Sequence, residues 1–355
     1  MNTANAPFRL FIGTYTRAGG KGIYTLQLDP NTGRFSSPTV AAETPNPSYL
    51  TLSPDHSTLY AVCEAEAMAA AFRVGRNSGE LLPLPGSQQA GGKAPCHLAV
   101  DTTGRVLLVA NYHTGVVASL PILPGGALGP AASVIQHHGS SIDAERQSSA
   151  HVHSVTLSSD NRFVLVCDLG LDKIFTYRLD PATATLVPAE IPYTVAPPGS
   201  GPRHFAFSPS GQHAFVITEM GASLLAFRYD ADHGTLRQLD AQSTLGHETV
   251  LENKSAAVRV HPNGRYVYAS NRGSDTIAVF AFDESTGQLS LVEVVSAGGK
   301  APRDFALSPD GRWLVAANQD SNSLTLFRVS PETGRLTQLP ARAEISMPVC
   351  VLFAD

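Results

Sequence analysis

Four side chains that can move a proton or bind an anion stand at matching places in three consecutive sequence repeats: His153, Arg203, Glu219 and Arg272. A carboxylate or a neutral imidazole can take a proton from water, and an arginine can stabilise the oxyanion of a tetrahedral intermediate. Guanidinium groups also bind carboxylate or phosphate. These four candidate catalytic residues predict hydrolysis or closure of an ester ring on an anionic substrate, although His151, His153 and Glu219 all remain possible general bases.

Other polar residues at comparable places are predicted to bind the substrate. Lys93 and Lys300 occupy two copies of the segment AGGKAP, and Lys300 with Arg303 is a candidate for binding a phosphate group. The predicted substrate-binding residues are His151, His204, Asp168, Asn111, Arg303, Lys300 and Lys93.

Some of these positions also have a structural interpretation. Asp168 and Asn111 can cap the turn after a strand instead of contacting substrate. His151 and His153 are two residues apart and could share a metal ion, but the sequence offers no clear third ligand. Neither a metal nor another cofactor is therefore predicted. The histidines at 137–138 are expected to be solvated in a loop.

A repeated strand pattern must position these side chains. Its clearest copies cover 47–64, 95–111, 152–168, 202–218, 255–271 and 302–318. Apolar and polar residues alternate with period two in short runs bounded by Pro, Gly, Asn and Asp, which is typical of strands and turns. About four strands repeated at this spacing form one propeller blade. The sequence predicts an all-β, seven-bladed β-propeller with four antiparallel strands per blade, as a single domain over residues 1–355.

The two ends of the chain are predicted to share one blade. FRLFIGTY (8–15) has the pattern of a second strand without a first, and MPVCVLFAD (347–355) that of a first strand with nothing after it. Their pairing would close the ring and cover exposed sheet edges. Since first strands begin and second strands end at the same face, side chains at those points are expected to surround the mouth of the central channel.

Composition and missing motifs exclude several classes of function. The net charge of −5 gives no generally basic surface for nucleic acid. No apolar run is long enough to span a membrane, and the N-terminus lacks the pattern of a secretory signal. The cysteines are expected to be free thiols, which favours a cytoplasmic location. The motifs GxSxG, HExxH and GxxxxGK[ST] do not occur. The expected partner is a small anionic lactone, and the oligomeric state is not predicted.

Several segments together resemble the bacterial seven-bladed propeller lactonases. These segments are FIGTYT (11–16), the loop 137–154 ending in HVHS, GPRHFAFSP (201–209), ITE (217–219) and ASNRGSD (269–275). The resemblance covers nearly the whole chain and implies cleavage of 6-phospho-D-glucono-1,5-lactone in the pentose phosphate pathway. Fungal enzymes that interconvert carboxymuconate and its lactone share the fold. By position, their functional His, two Arg and Glu imply His153 (or His151), Arg203, Arg272 and Glu219.

Two other functions remain open from the sequence. A carboxymuconate-type lactonizing enzyme would use the same residues, with Glu219 or His153 passing a proton to carbon. A non-catalytic interaction scaffold would need broad apolar or aromatic patches on one rim. Aromatic residues make up only 7% of the chain and fall mostly within predicted strands. A sugar-acid lactonase is therefore the first hypothesis.

Overall fold

A computed structural model describes residues 6–75, 78–246 and 252–354. These residues form seven antiparallel sheets arranged as the blades of a propeller, which confirms the predicted fold. Short 3₁₀ turns lie at Glu64–Glu66 and Gln319–Ser321. In this part of the chain no helix has the length and apolarity that a membrane span requires.

In every blade the strands follow one another from the central channel outward to the rim. From the innermost strand, blade 1 contains Pro348–Phe353, Phe8–Thr14, Gly22–Asp29, Arg34–Phe35 and Thr39–Glu43, and blade 2 contains Leu50–Leu52, Thr58–Cys63, Met68–Val74, Leu81–Pro83 and Gln88–Gln89. Blade 3 contains Pro95–Val100, Val106–Asn111, Val116–Pro121 and Ser133–Gln136, and blade 4 contains Val152–Leu157, Phe163–Asp168, Lys173–Asp180 and Thr185–Val195. Blade 5 contains Pro202–Phe207, His213–Thr218, Ser223–Asp230 and Thr235–Ser243. Blade 6 contains Lys254–Val260, Tyr266–Arg272, Thr276–Asp283 and Gln288–Ser296, and blade 7 contains Pro302–Leu307, Trp313–Asn318, Ser323–Val329 and Leu336–Glu344.

Blades 3 to 7 have four strands each, whereas the outer strand of blades 1 and 2 is split into two short pieces. Pro38 directly precedes the second piece in blade 1. Pro85 lies between the two pieces in blade 2. Proline has no N–H to donate to a neighbouring strand, so it interrupts the ladder at an outer edge.

The C-terminal strand closes the ring, as predicted. Pro348–Phe353 pairs antiparallel with Phe8–Thr14, with Leu10 opposite Phe353 and Ile12 opposite Val351. It is the innermost strand of blade 1, and the N-terminal strand is the second.

Alternating side chains on each strand pack against the two neighbouring blades. In the strand Trp313–Asn318, Trp313, Val315 and Ala317 pack against blade 1. Leu314 and Ala316 of the same strand pack against blade 6. A strand that is apolar on both faces suits a sheet sandwiched between two others. Each blade is therefore held by an apolar contact on both sides.

A β-bulge lies near the start of the innermost strand in most blades. In blade 3, Pro95 is opposite Asn111 and His97 is opposite Ala110, so Cys96 has no partner residue. The corresponding unpaired residues in other blades are His153, Arg203, Arg303 and Val349. A bulge changes the direction of a side chain relative to the regular pleat. Three of these bulged residues, Cys96, His153 and Arg303, line a cavity at the channel mouth.

Candidate active site

One end of the central channel opens into a cavity of about 210 Å³. Its lining comes from bulged residues of the innermost strands and from residues at or just after the ends of second strands. The lining residues that carry polar groups are Glu64, Cys96, Tyr112, His113, His153, Glu219, Arg272 and Arg303. The structure thus brings His153, Glu219, Arg272 and Arg303 together around one space.

Glu219 is the centre of a buried ionic cluster. Its Oε2 accepts hydrogen bonds from Arg203 Nε at 3.0 Å and Arg272 Nη2 at 2.8 Å. Its Oε1 accepts one from Arg146 Nη2 at 2.6 Å. Burial by itself would raise the pKa of Glu219, but the guanidiniums of Arg272 and Arg203 outweigh it and hold that pKa well below 4.5. Glu219 is therefore an ionised carboxylate at neutral pH, with both oxygens engaged.

His153 is a buried imidazole in the wall of the same cavity. Its Nε2 lies 3.9 Å from Glu219 Oε2, and its Nδ1 lies 4.0 Å from Cys96 Sγ. Burial lowers the pKa of His153 well below 6.5, and the charge of Arg203 lowers it further. Glu219 opposes these effects without reversing them. At neutral pH the ring is therefore uncharged, and one nitrogen can accept a proton.

Arg203 and His204 lie behind the cavity wall. The Arg203 side chain is only 2% exposed, and besides Glu219 it binds the carbonyl of Ala256 at 2.5 Å. Its Nη1 is also 3.2 Å from His204 Nε2. His204 is buried further along the channel, edge-on to the ring of His153. Neither residue lines the cavity, so the geometry favours a role in holding Glu219 over the predicted contact with substrate.

A second cavity of about 310 Å³ adjoins the first and shares Arg272 and Arg303 with it. Lys254 and Lys300 also line this second space. Arg303 and Lys300, predicted as phosphate ligands, are therefore beside each other and beside the first cavity. Lys93 is exposed and lines neither cavity.

Asp168, predicted as a substrate ligand, is fully buried, and both of its carboxylate oxygens make contacts within the protein. Its Oδ2 lies 2.7 Å from His137 Nδ1. Its Oδ1 accepts hydrogen bonds from the backbone N–H groups of His151 and Gly170 at 2.8 and 3.1 Å. The expectation of a solvated His137 is wrong, since this ring is buried and its Nε2 lies 2.8 Å from Tyr177 Oη. These contacts fasten the long loop to blade 4.

Asn111 and His151 also have structural contacts away from the cavity. Asn111 donates from Nδ2 to the carbonyl oxygen of Ala90 at 2.7 Å, which ties a loop to its blade. His151 stacks on the ring of Tyr112 with centroids 4.6 Å apart, and its Nδ1 lies 3.0 Å from the carbonyl oxygen of Tyr112. The structure favours the capping interpretation of Asn111.

Two residues of the site do not follow from the sequence patterns. Arg146 lies in the long loop before blade 4, outside the strand repeat that supplied the other candidates. When the strand ends are assigned from the repeated sequence pattern, Glu64 takes the position in blade 2 that Asn111 has in blade 3. Backbone hydrogen bonds instead make it equivalent to Tyr112 and Glu219, because each of the three N–H groups binds the carbonyl of a residue that directly precedes a proline, namely Asn46, Ala94 or Gly201. Ending the second strand of blade 2 one residue earlier, at Cys63, aligns Glu64 with Tyr112 and would have identified it.

A cavity of about 670 Å³, larger than the channel cavity, lies among loops at the opposite face of the propeller. Its lining is mainly proline, glycine, serine and threonine, and its charged residues are Asp55, Arg73 and Arg105. It contains no histidine that could act as a base. Volume therefore does not identify the functional site, whereas the chemistry of the smaller channel cavity does.

The fold and this cavity define a seven-bladed propeller with histidine, glutamate and arginine side chains around a cavity on its axis. The sequence matches the family described as "Lactonase, 7-bladed beta-propeller" over residues 9–353. The chain therefore belongs to this lactonase family, which confirms the resemblance found in the sequence and the predicted class of enzyme.

Relatives with similar sequences and structures agree with this assignment. The chain is 37% identical to the 6-phosphogluconolactonase of Bacillus subtilis (strain 168) over 97% of both chains. It is 32% identical to a 6-phosphogluconolactonase of Formosa agariphila over 84% of this chain and 86% of the relative. The solved structure of the periplasmic gluconolactonase of Pseudomonas aeruginosa superimposes with a TM-score of 0.93 at 35% identity, covering 98% of this chain and 99% of that one.

Proposed function

We propose that this protein hydrolyses the ester of a sugar-acid lactone, with 6-phospho-D-glucono-1,5-lactone as substrate and 6-phosphogluconate as product. The observation that carries the proposal is the meeting of a neutral His153, an ionised Glu219 and two guanidiniums at one cavity. The names of the Bacillus and Pseudomonas relatives support the sugar-lactone class. This reaction belongs to the pentose phosphate pathway.

The formal charges around the cavity favour an anionic substrate. Four arginines surround it or contact Glu219, namely Arg146, Arg203, Arg272 and Arg303, whereas among the described residues only Glu64 and Glu219 carry negative charge there. Two positive charges are thus uncompensated. A phosphate or carboxylate on the substrate would balance them. The second cavity, where Lys254, Lys300, Arg272 and Arg303 outnumber the carboxylates of Glu252, Asp275 and Asp320, is the place proposed for the phosphate.

A reaction sequence follows from the positions of these groups. His153 takes a proton from water, whose oxygen attacks the lactone carbonyl carbon. The carbonyl oxygen becomes an oxyanion, which Arg272 and Arg303 stabilise. Glu219 stabilises the imidazolium that forms on His153. When the ring C–O bond breaks, that imidazolium returns its proton to the leaving alkoxide, giving a carboxylic acid that ionises to the open-chain product.

His153 is a better candidate for the base than Glu219. Both carboxylate oxygens of Glu219 already accept hydrogen bonds from guanidiniums, which makes the carboxylate a weak base. Within the described part of the chain, His153 has no such bond to a cation. His151 is stacked on Tyr112 and does not line the cavity.

The pH dependence should reflect a base with a lowered pKa. Because the pKa of His153 lies well below 6.5, its neutral form is already dominant at pH 6.5. We expect kcat/KM, after subtraction of spontaneous hydrolysis, to stay level from pH 6.5 to 8 and to fall only at more acidic pH. Initial rates in a constant-pH titration check this. A midpoint at or above pH 6.5 would contradict the assignment.

Arg146 should matter although it comes from a loop outside the blades. We expect Arg146→Ala to lower kcat/KM about tenfold, since a charge-assisted hydrogen bond that orders Glu219 Oε1 is lost. Steady-state kinetics measure the change. Arg162→Ala is a matched control, because Arg162 makes an exposed ion pair at the same distance, 2.6 Å, with Asp160. Equal kinetics for the two variants would contradict this role.

The proposed function is tested by following acid release from 6-phospho-D-glucono-1,5-lactone at constant pH. The proposal expects a rate proportional to protein concentration and well above the spontaneous rate. Glucono-1,5-lactone, carboxymuconolactone and cis,cis-muconates complete the panel. Turnover of the dicarboxylic compounds alone would replace the proposal with a carboxymuconate-type lactonizing enzyme. A protein inert on the whole panel would be better explained as an interaction scaffold.

A cytoplasmic location is part of the proposal, because a phosphorylated sugar lactone is expected there. The free thiols of Cys63, Cys96, Cys167 and Cys350 fit a reducing compartment. The Pseudomonas relative is named as a periplasmic enzyme. Preference for glucono-1,5-lactone over its phosphorylated form would count against the cytoplasmic assignment.

A further inference from the structure

Glu64 faces Glu219 across the channel. It begins the 3₁₀ turn Glu64–Glu66 directly after the second strand of blade 2. Its backbone N–H binds the carbonyl of Asn46 at 3.2 Å, and the N–H of Glu219 makes the corresponding bond to Gly201 in blade 5. In a ring of seven blades, the second and fifth lie on nearly opposite sides. The two carboxylates therefore line the same cavity from opposite walls.

The two carboxylates differ in the number of hydrogen bonds that their oxygens accept. Glu219 accepts hydrogen bonds from three arginines. Oε2 of Glu64 is buried and has no hydrogen-bond partner among the described residues, and Glu64 makes no salt bridge within that part of the chain. A buried carboxylate oxygen without a donor is costly. A hydrogen-bond donor that enters the cavity would satisfy this oxygen.

The surroundings of Glu64 restrict what that ligand can be. Arg303 lines the same cavity. Its positive charge lowers the pKa of Tyr15, whereas the negative charge of Glu64 raises it. The Tyr15 hydroxyl interacts with the Glu64 carboxylate through a hydrogen bond as well as through charge, and Glu64 raises the pKa of both Tyr15 and Cys96 in addition to the larger effect of burial. A second anion next to Glu64 would be repelled. A hydroxyl group is neutral and donates a hydrogen bond, so it satisfies the free oxygen without repulsion.

We propose that Glu64 determines substrate specificity by accepting hydrogen bonds from hydroxyl groups of a polyhydroxylated ring, while the arginines bind the anionic groups of the same ligand. This inference rests on the proposed function, because it assigns the uncharged part of a sugar-acid lactone to one wall of the active-site cavity. It also explains why a cavity with excess positive charge keeps a carboxylate that is not tied to any of its arginines. Glu64 would disfavour a substrate with a second carboxylate in place of hydroxyls.

The experiment compares the wild-type protein with Glu64→Gln, which keeps the shape and removes the charge. Calorimetry measures binding of 6-phosphogluconate and of inorganic phosphate alone. We expect Glu64→Gln to weaken binding of 6-phosphogluconate at least about tenfold. Binding of inorganic phosphate should be unchanged or tighter, since a negative charge has been removed. In the hydrolysis assay, KM should rise by a similar factor while kcat changes less than about threefold.

Glu66→Gln is the matched control, because Glu66 belongs to the same turn but is exposed and does not line the cavity. It should bind both ligands like the wild type. Glu64→Asp, which keeps the charge but shortens the side chain, should weaken 6-phosphogluconate binding without tightening phosphate. Thermal unfolding verifies that each variant is folded.

Whether Glu64→Gln weakens or tightens binding of 6-phosphogluconate decides between hydroxyl recognition and a purely electrostatic role of Glu64. If Glu64 acts only through its negative charge, Glu64→Gln tightens both ligands, and the inference is overturned. A loss of kcat at unchanged KM would make Glu64 part of the chemistry and would also overturn it. Binding does not depend on turnover: a protein that hydrolyses no lactone but shows the expected binding pattern would disprove the proposed function and leave hydroxyl recognition intact. A wild-type lactonase whose Glu64→Gln variant binds 6-phosphogluconate normally would do the reverse.

Discussion

We expect His153→Gln to lower kcat for lactone hydrolysis by about 10²- to 10⁴-fold, the usual contribution of a general base. Glutamine is close in size to histidine but cannot take the proton from the attacking water. The substrate-binding groups Arg272 and Arg303 are untouched, so KM should change little. Initial rates at saturating substrate measure the effect.

The structure provides a matched control for this variant. His233→Gln changes an exposed histidine that pairs with Asp230 on the surface, and it should behave like the wild type. Near-normal kcat in His153→Gln would transfer the role of base to Glu219. In that case the level region of the pH profile should extend down to the lower pKa of Glu219.

The second large effect concerns stability. We expect Glu219→Gln to lower the free energy of unfolding by about 3–5 kcal/mol, because it leaves buried guanidiniums without their counter-charge. The Arg203 side chain is 2% exposed and cannot recover that energy by turning to solvent. Denaturant unfolding followed by tryptophan fluorescence of Trp313 measures the change. Glu284→Gln changes an exposed carboxylate that accepts a hydrogen bond from Ser210 and lies 3.6 Å from His213, and it should cost at most about 1 kcal/mol.

A double variant separates unpaired charge from lost packing. Adding Arg203→Met to Glu219→Gln removes one of the stranded cations and should restore part of the lost stability, although activity stays low. If the free energy of unfolding of the double variant is lower than that of Glu219→Gln by as much as an independent core substitution costs, unpaired charge is not the cause of the stability lost in Glu219→Gln.

The same cluster gives stability a defined pH dependence. The pKa of Glu219 is lower in the folded protein than its ordinary value of 4.5. A group of this kind contributes fully above pH 4.5, and its contribution is lost as the pH falls through the folded-state pKa. In Glu219→Gln this component of acid destabilisation should be absent.

The blade architecture could be predicted because each repeat carries its own signals. Alternation with period two describes strands that are packed on both faces, and Pro, Gly, Asn and Asp mark the turns between them. Closure could be predicted because FRLFIGTY and MPVCVLFAD each lack the partner strand that the other supplies. The splitting of two outer strands follows from Pro38 and Pro85, whose effect is local and is visible in the sequence.

The site is less predictable, because it depends on how deeply each side chain is buried and on a strand alignment that is accurate to one residue. Counting along the repeats places Arg203 beside His153, but only the bulged backbone and its contacts reveal that Arg203 lies beneath Glu219. The same counting misaligns Glu64 by one position, since the backbone hydrogen bonds that fix its register are not visible in the sequence. Arg146 belongs to a loop without periodicity, so no sequence pattern connects it to Glu219.

A crystal structure of the protein with 6-phosphogluconate bound tests the central claim most directly. The sugar acid should lie in the 210 Å³ cavity, with its carboxylate at Arg272 and Arg303, its C1 carbon next to His153 and its hydroxyls at Glu64. Its phosphate should lie in the adjoining space beside Lys300. Occupation of the 670 Å³ cavity at the opposite face, with the channel cavity empty, would contradict the account.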